Sequence, residues 1–399
     1  MRKHQRFLLF LLALLAMLLP GGTQAETEAQ DVISRCHIWL SYNRSARNRL
    51  TDNSYMTYWP SGEQGWIEIQ TPEEEPCFGL YIKWAERLCD WVIETPDEQG
   101  EWQCILQAPA VKYYHQYVPF EQGLTHFRLR NISDIEMCIN EIHALSAGAL
   151  PDWVQVWQPF EGKADLLVLV AHPDDELLFM GGVIPYYRGQ MGKKVMVAYT
   201  AYMPASRKSE LLDGLWHCGI REYPEMPRNE FADVYPASMK KCLTAWGEEA
   251  LQRYVVELLR KYRPDVAVTH DIKGEYGHPA HMACAWAMQQ CIALSADATA
   301  FPELAEAYGS WQPQKAYLHL YQGDLGQIQF DWRQPLSAFD GKTAFDVACE
   351  AFKKHRTQYN GGKYAVKDSG PYNNALFGLF FSTVGADTGT NDFFEHLGK

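Results

Sequence analysis

Asp165-Leu-Leu-Val-Leu-Val-Ala-His-Pro-Asp-Asp-Glu176 runs through six consecutive apolar residues and then stops on an imidazole, a proline and three carboxylates. An apolar run without alternation is the pattern of a strand buried on both faces, as happens where helices cover both sides of a parallel sheet. Working outward, 194–199, 265–269 and 315–320 read as further strands, and helical patterns fill 206–219, 238–262, 279–294 and 343–357. This alternation predicts an α/β unit over 163–399, a mainly parallel sheet with flanking helices.

Ligands in such folds collect beyond the carboxyl ends of the strands, where 172–176 falls. His172 and Asp175, three apart in a tight strand-to-helix turn, converge on one point, and nitrogen plus oxygen donors without sulfur suit a divalent first-row ion, zinc foremost. Asp174 lies between them and is free to take a proton from metal-bound water. A third ligand is offered by a second strand end, His270-Asp-Ile-Lys-Gly-Glu-Tyr-Gly-His-Pro-Ala-His281. Pro279 suits the first turn of a helix, which would set His278 and His281 on one side of it. Taken alone, the Asp-Asp-Glu run would equally serve as a helix N-terminus; the His-rich second motif favours a metal.

Residues 32–147 follow a different grammar. Short alternating stretches at 65–69, 78–84, 91–94, 101–106, 126–130 and 137–140, with turns about every ten residues, predict an all-β antiparallel sandwich. Six Trp (39, 59, 66, 84, 91 and 102) lie here, as core residues or as platforms for sugar rings. The segment resembles a discoidin-type, galactose-binding-like jelly roll, on Thr51-Asp-Asn-Ser-Tyr-Met-Thr-Tyr-Trp-Pro60, the strand at Trp66 and the late pair Phe127-Arg-Leu-Arg130 and Asn140-Glu-Ile-His143. That resemblance implies glycan binding through loops at one end. A linker at 148–162 joins the two units.

The chain begins with a cationic start, an apolar run over 7–19 and Pro20-Gly-Gly-Thr-Gln-Ala25, the parts of a cleavable signal over 1–25. A secreted protein is expected, with periplasmic retention or an uncleaved anchor as alternatives, and no membrane span in the mature chain. The net charge of −13 argues against nucleic acid and anionic membranes and favours a neutral substrate. Ten Cys divide five and five between the units, and Cys36 with Cys138 and Cys89 with Cys104 are the pairings considered. The stretches 359–362 and 369–372 read as loop punctuation that overhangs the site or covers the sheet.

The α/β unit resembles the PIG-L/LmbE family of zinc-dependent N-deacetylases, whose fold is Rossmann-like. The resemblance rests on Ala171-His-Pro-Asp-Asp-Glu176, on Arg207-Lys-Ser-Glu-Leu211, on Gly274-Glu-Tyr-Gly-His-Pro-Ala-His281 and on Phe352-Lys-Lys-His-Arg-Thr-Gln358. It implies His172, Asp175 and His281 as Zn(2+) ligands and Asp174 as general base. His278 would support the oxyanion or leaving amine, and Arg207 and Tyr276 would meet the sugar. Ala280 stands where the family has Asp, so His278 lacks its usual acidic partner; Asp271 or Glu275 are the substitutes considered. The implied activity removes acetyl from N-acetylglucosamine-type units of a glycan or glycoconjugate. The rivals are a carbohydrate-binding protein with a degenerate deacetylase domain and a zinc amidase on a non-sugar substrate.

Overall fold

A computed structural model describes residues 27–235 and 237–398, so the expected leader at 1–25 lies outside the described residues. Nine strands form the amino-terminal unit: β1 (His37–Leu40), β2 (Trp59–Pro60), β3 (Trp66–Gln70), β4 (Cys77–Trp84), β5 (Trp91–Pro96), β6 (Trp102–Gln107), β7 (His115–Leu124), β8 (His126–Asn131) and β9 (Cys138–Leu145). Two antiparallel sheets result, ordered β1-β3-β8-β5-β6 and β2-β9-β4-β7. Period-two alternation turns Ile67 and Ile69 of β3 and Phe127 and Leu129 of β8 into the shared core with Trp59, Trp84 and Trp91. Three of the six tryptophans are therefore core residues, whereas Trp39 remains 45% exposed.

The carboxy-terminal unit holds β10 (Leu166–Val170), β11 (Val195–Tyr199), β12 (Val266–Thr269), β13 (Lys315–His319), β14 (Gln327–Gln329) and β15 (Leu376–Ser382). Its helices are α1 (Asp175–Leu178), α2 (Ala205–His217), α3 (Met239–Trp246), α4 (Glu248–Tyr262), α5 (Pro279–Ala296), α6 (Pro302–Tyr308), α7 (Ala344–Phe352) and α8 (Arg356–Tyr359). The sheet order is β11-β10-β12-β13-β15-β14, parallel through β13 and antiparallel beyond. The unbroken apolar run of β10 divides between two cores: Leu166, Val168 and Val170 pack with Leu177, Leu211 and Val347, while Leu167, Leu169 and Ala171 pack with Val255, Cys284 and Met288. The chain leaves β10 for β11 on one side and returns to β12 on the other. The carboxyl ends of β10 and β12 thus flank a topological switch point, the place where such sheets open a crevice.

Several expectations change. The helix expected at 238–262 is two, because Gly247 adopts a positive φ of 78° that ends α3 and restarts the chain as α4. The helix expected at 343–357 stops at Phe352 and resumes at Arg356. Strands β1, β2, β7, β14 and β15 lie outside the stretches expected as strands. Pro119 inside β7 is tolerated because that strand is the edge of its sheet. All ten cysteines are free. In the Cys89–Cys104 pairing considered, β5 and β6 instead set Glu94 opposite Cys104, which is exposed, while Cys89 is buried. Cys36 precedes the edge strand β1 and Cys138 begins β9 in the other sheet. Among the described residues no helix is long and apolar enough to cross a membrane.

The segment expected as a linker is packed: Val154, Gln155 and Trp157 are buried. It completes a polar node between the sandwich and α2. Asp213 accepts from the Tyr55 hydroxyl at 2.6 Å and from Gln155 Nε2 at 2.7 Å, with Lys83 Nζ 3.6 Å away. Burial drives His115 down to about 3, so this imidazole is neutral and its Nδ1 bonds Gln155 Oε1 at 2.8 Å. Asp213→Ala strips the acceptor from Tyr55 and Gln155 and the counter-charge from Lys83. Chemical denaturation should show a loss of about 2–3 kcal/mol; a loss below about 0.5 kcal/mol, the level of an ordinary surface substitution, would mean the node does not couple the units.

Candidate metal centre

The site begins where β10 ends. Asp174 caps α1 with φ 118° and ψ −26°, a conformation that costs a non-glycine residue of order 1–3 kcal/mol and persists only when neighbours enforce it. Those neighbours are specific. The Asp174 amide donates to Glu176 Oε2 at 2.8 Å, and the Arg207 guanidinium donates to the Pro173 carbonyl and sits 3.0 Å from Asp174 Oδ1. Behind Glu176, His355 Nε2 lies 3.2 Å from Oε1, both side chains fully buried. Burial lifts the Asp174 carboxyl to about 6 against the pull of Arg207. Arg207, expected to meet a sugar, is thus engaged on the strained turn.

Three atoms then converge. His172 Nδ1 is 3.1 Å from Asp175 Oδ2, and His281 Nε2 is 3.3 Å from each of them. Ligand atoms around a tetrahedral ion at about 2.0–2.1 Å are themselves about 3.3 Å apart, so this triangle has the dimensions of one face of a zinc site. The hydrogen bonding makes the same point. His281 Nδ1 lies 2.7 Å from Glu275 Oε2, and a carboxylate only accepts, so Nδ1 carries a proton and Nε2 is the nitrogen left to face Asp175. A bound cation would take its lone pair from that nitrogen. The residues present therefore fit Zn(2+).

His270 also reaches Asp175, at 3.5 Å, but its Nε2 already accepts the Ala171 amide at 3.0 Å while Nδ1 bonds Glu275 Oε2 at 2.8 Å. With both nitrogens committed, it positions rather than ligates. Glu275 gathers a third imidazole, His319 Nδ1 at 2.6 Å from Oε1, and is itself fully buried. Sequence reading named Glu275 only as a substitute partner for His278. In the structure it orients His281 instead, as carboxylates commonly do behind metal-bound imidazoles.

His278 is the amino-terminal cap of α5: its Nδ1 accepts the Ala280 amide at 3.2 Å, which puts the ring proton on Nε2. Burial and the adjoining His281 and His172 rings push it down to about 3, so it is a neutral donor. The nearest carboxylate to Nε2 is neither Asp271 nor Glu275 but Asp233, at 3.9 Å, which also stands 3.6 Å from His172 Nε2. Asp233 comes from an irregular segment between α2 and α3 with no periodicity, so no sequence signal marked it. Tyr276, 38% exposed, lines a cleft of about 480 Å³ over the triangle, and the 360–374 segment overhangs it with Lys363, Tyr364, Lys367 and Tyr372.

Residues 167–292 match the family model described as PIG-L: GlcNAc-PI de-N-acetylase. Over 176 residues the chain is 29% identical to 1D-myo-inositol 2-acetamido-2-deoxy-alpha-D-glucopyranoside deacetylase 2 of Saccharopolyspora erythraea, a match covering 38% of this chain and 63% of that protein. The chain therefore spans somewhat less than two thirds of this relative's length. Among solved structures, N,N'-diacetylchitobiose deacetylase from Pyrococcus horikoshii aligns at 17% identity and a TM-score of 0.37, covering 51% of this chain and 74% of that one. The family 32 CBM from C. perfringens NanJ, solved with galactose, aligns at 9% identity and a TM-score of 0.26, covering 30% of this chain and 99% of that one.

Replacing His281 by Ala should abolish tight zinc binding in a chelator-competition titration. Glu275→Gln, which keeps the volume and removes the charge behind His281, should weaken zinc affinity by about 10–100-fold; an unchanged affinity would mean Glu275 does not orient the ligand.

Proposed function

We propose that the chain is a zinc-dependent N-deacetylase that removes acetyl groups from N-acetylglucosamine-type units of an extracellular glycan or glycoconjugate. The observation that carries this reading is the triangle of His172 Nδ1, Asp175 Oδ2 and His281 Nε2, with the buried Asp174 carboxyl beside it in an open cleft. The match of residues 167–292 to the GlcNAc-PI de-N-acetylase model and the relative named for an acetamido-sugar deacetylase support the substrate class. The leader-like start and the β-sandwich support an extracellular glycan.

Zinc bound at the triangle would lower the pKa of a water toward about 7 and polarise the acetamide carbonyl. The protein's own groups do the rest. Asp174 Oδ accepts the proton of the attacking water, and a carboxyl lifted to about 6 both takes that proton near neutrality and returns it to the departing amine. Arg207 and Glu176 hold the strained turn so that this carboxylate does not swing away. The His278 Nε2 proton, fixed by the cap at Nδ1, is available to the carbonyl oxygen as negative charge grows there, with the Tyr276 hydroxyl on the same cleft wall. The preserved base and donor weigh against a binding-only protein, which would need neither.

In the zinc-loaded protein, Asp174→Asn should retain the metal while acetate release from N-acetylglucosamine oligosaccharides falls by about 10²–10⁴-fold; full activity would reassign the base. A base must be deprotonated to act, and bound zinc would draw the Asp174 carboxyl below its metal-free value of about 6, so kcat/KM should fall on an acid limb below pH 6. The acid limb, read from initial rates across pH 4.5–8, should vanish in the residual activity of Asp174→Asn.

A further inference from the structure

The 360–374 segment joins α8 to β15 and is tied down: Val366 is buried in the apolar core, Asn374 is fully buried, and Asp368 holds Arg333 at 2.6 Å. It carries Lys363 and Lys367 to the rim of the metal cleft, both exposed. Among the described residues neither ammonium has a carboxylate within 4.0 Å, and the one acid adjoining them in sequence, Asp368, is engaged by Arg333. Of the acids that line the cleft, Asp174 pairs with Arg207 at 3.0 Å and Asp175 faces the imidazoles of the triangle, while Asp233 keeps its charge beside His172 and the neutral His278. Two cations without a carboxylate partner thus line the cleft, Lys363 Nζ lying over the Tyr364 ring at 4.9 Å, in a chain whose net charge is −13.

The global charge made a neutral substrate the expectation, but charges separated by more than about 8 Å are screened at physiological ionic strength, so a ligand in the cleft responds to the groups beside it. On the cleft walls, the exposed Tyr235 stacks on His278 with centroids 4.8 Å apart, and Tyr276 meets Tyr372 edge-on at 6.2 Å. Aromatic walls suit the apolar faces of a pyranose. Ammonium groups on flexible stems at the mouth can donate to the hydroxyls of a neutral sugar, but gain a further ionic attraction only from an anion.

We propose that Lys363 and Lys367 form a subsite for an anionic group, a carboxylate, phosphate or sulfate, borne on the unit next to the N-acetylated sugar. The substrate is then an acidic glycan or glycoconjugate, and the loop selects it. This rests on the deacetylase reading only for where the acetamide sits.

The test compares the zinc-loaded protein on N,N'-diacetylchitobiose, on N-acetylglucosamine linked to glucuronate, on a 6-sulfated N-acetylglucosamine disaccharide and on an N-acetylglucosamine phosphodiester. Two exposed ionic contacts predict a preference of about 5–10-fold in kcat/KM for at least one acidic substrate over the neutral one, shrinking as salt rises. In the Lys363→Ala/Lys367→Ala protein the acidic-to-neutral ratio should approach one, and the arm that shows the largest change identifies the anion. Parity in the wild type, or a preference that survives loss of both lysines, overturns the inference. Calorimetric binding of the same compounds to zinc-loaded Asp174→Asn separates the two readings. Acidic preference there with no acetate release from any substrate by the wild type sinks the deacetylase and keeps the subsite, whereas parity there sinks the subsite.

Discussion

Glu275 is the constraint on which the site depends. A fully buried carboxylate accepts from one nitrogen each of His270, His281 and His319, and His319 gives its other nitrogen to the Asn373 carbonyl. For His281 this leaves Nε2 facing Asp175 and His172, where a bound cation would take its lone pair. For His270 the same carboxylate, with the Ala171 amide on the other nitrogen, removes the ring from candidacy. Imidazoles that look alike in the sequence are therefore given different free nitrogens, with that of His281 the one turned toward the triangle.

The second constraint is backbone strain. Asp174 occupies a left-handed conformation that its own side chain disfavours, and it is held by contacts from α2, from Glu176 and, through Glu176, from His355 beyond α7. The same α2 carries Asp213, where the sandwich docks through Tyr55 and Gln155. One helix thus bears the clamp on the reactive turn and the joint with the other unit. The sandwich is a fixed neighbour of the cleft, since Arg356, two residues from Gln358 of the cleft lining, donates to the Asn53 carbonyl at 2.7 Å.

What was legible in the chain is what depends on local pattern. The run at 166–171 announced a doubly covered strand because six apolar residues without alternation leave no solvent face, and the structure divides them between two cores. His172, Asp174 and Asp175 were legible because a three-residue spacing in a tight turn brings side chains together, and His278 and His281 because Pro279 opens a helix. Errors came where one residue overrides a periodicity, as Gly247 does in the 238–262 pattern, or where an apolar run such as β15, interrupted by Gly378, shows no alternation.

By itself, then, the sequence determined the two grammars, the strand ends that bear the reactive residues, and the donor types available to a metal, since each is a property of neighbours along the chain. The tertiary structure alone decided that Asp233 rather than Asp271 faces His278, that Glu275 serves His281, and that Lys363 and Lys367 overhang the cleft. Asp233 and the two lysines are tens to hundreds of positions from the residues they face, and Glu275, six positions from His281, reaches it across the turn at Glu275–Gly277 that leads into α5. These juxtapositions follow from how helices and loops pack over the sheet, and no helix or strand period encodes them.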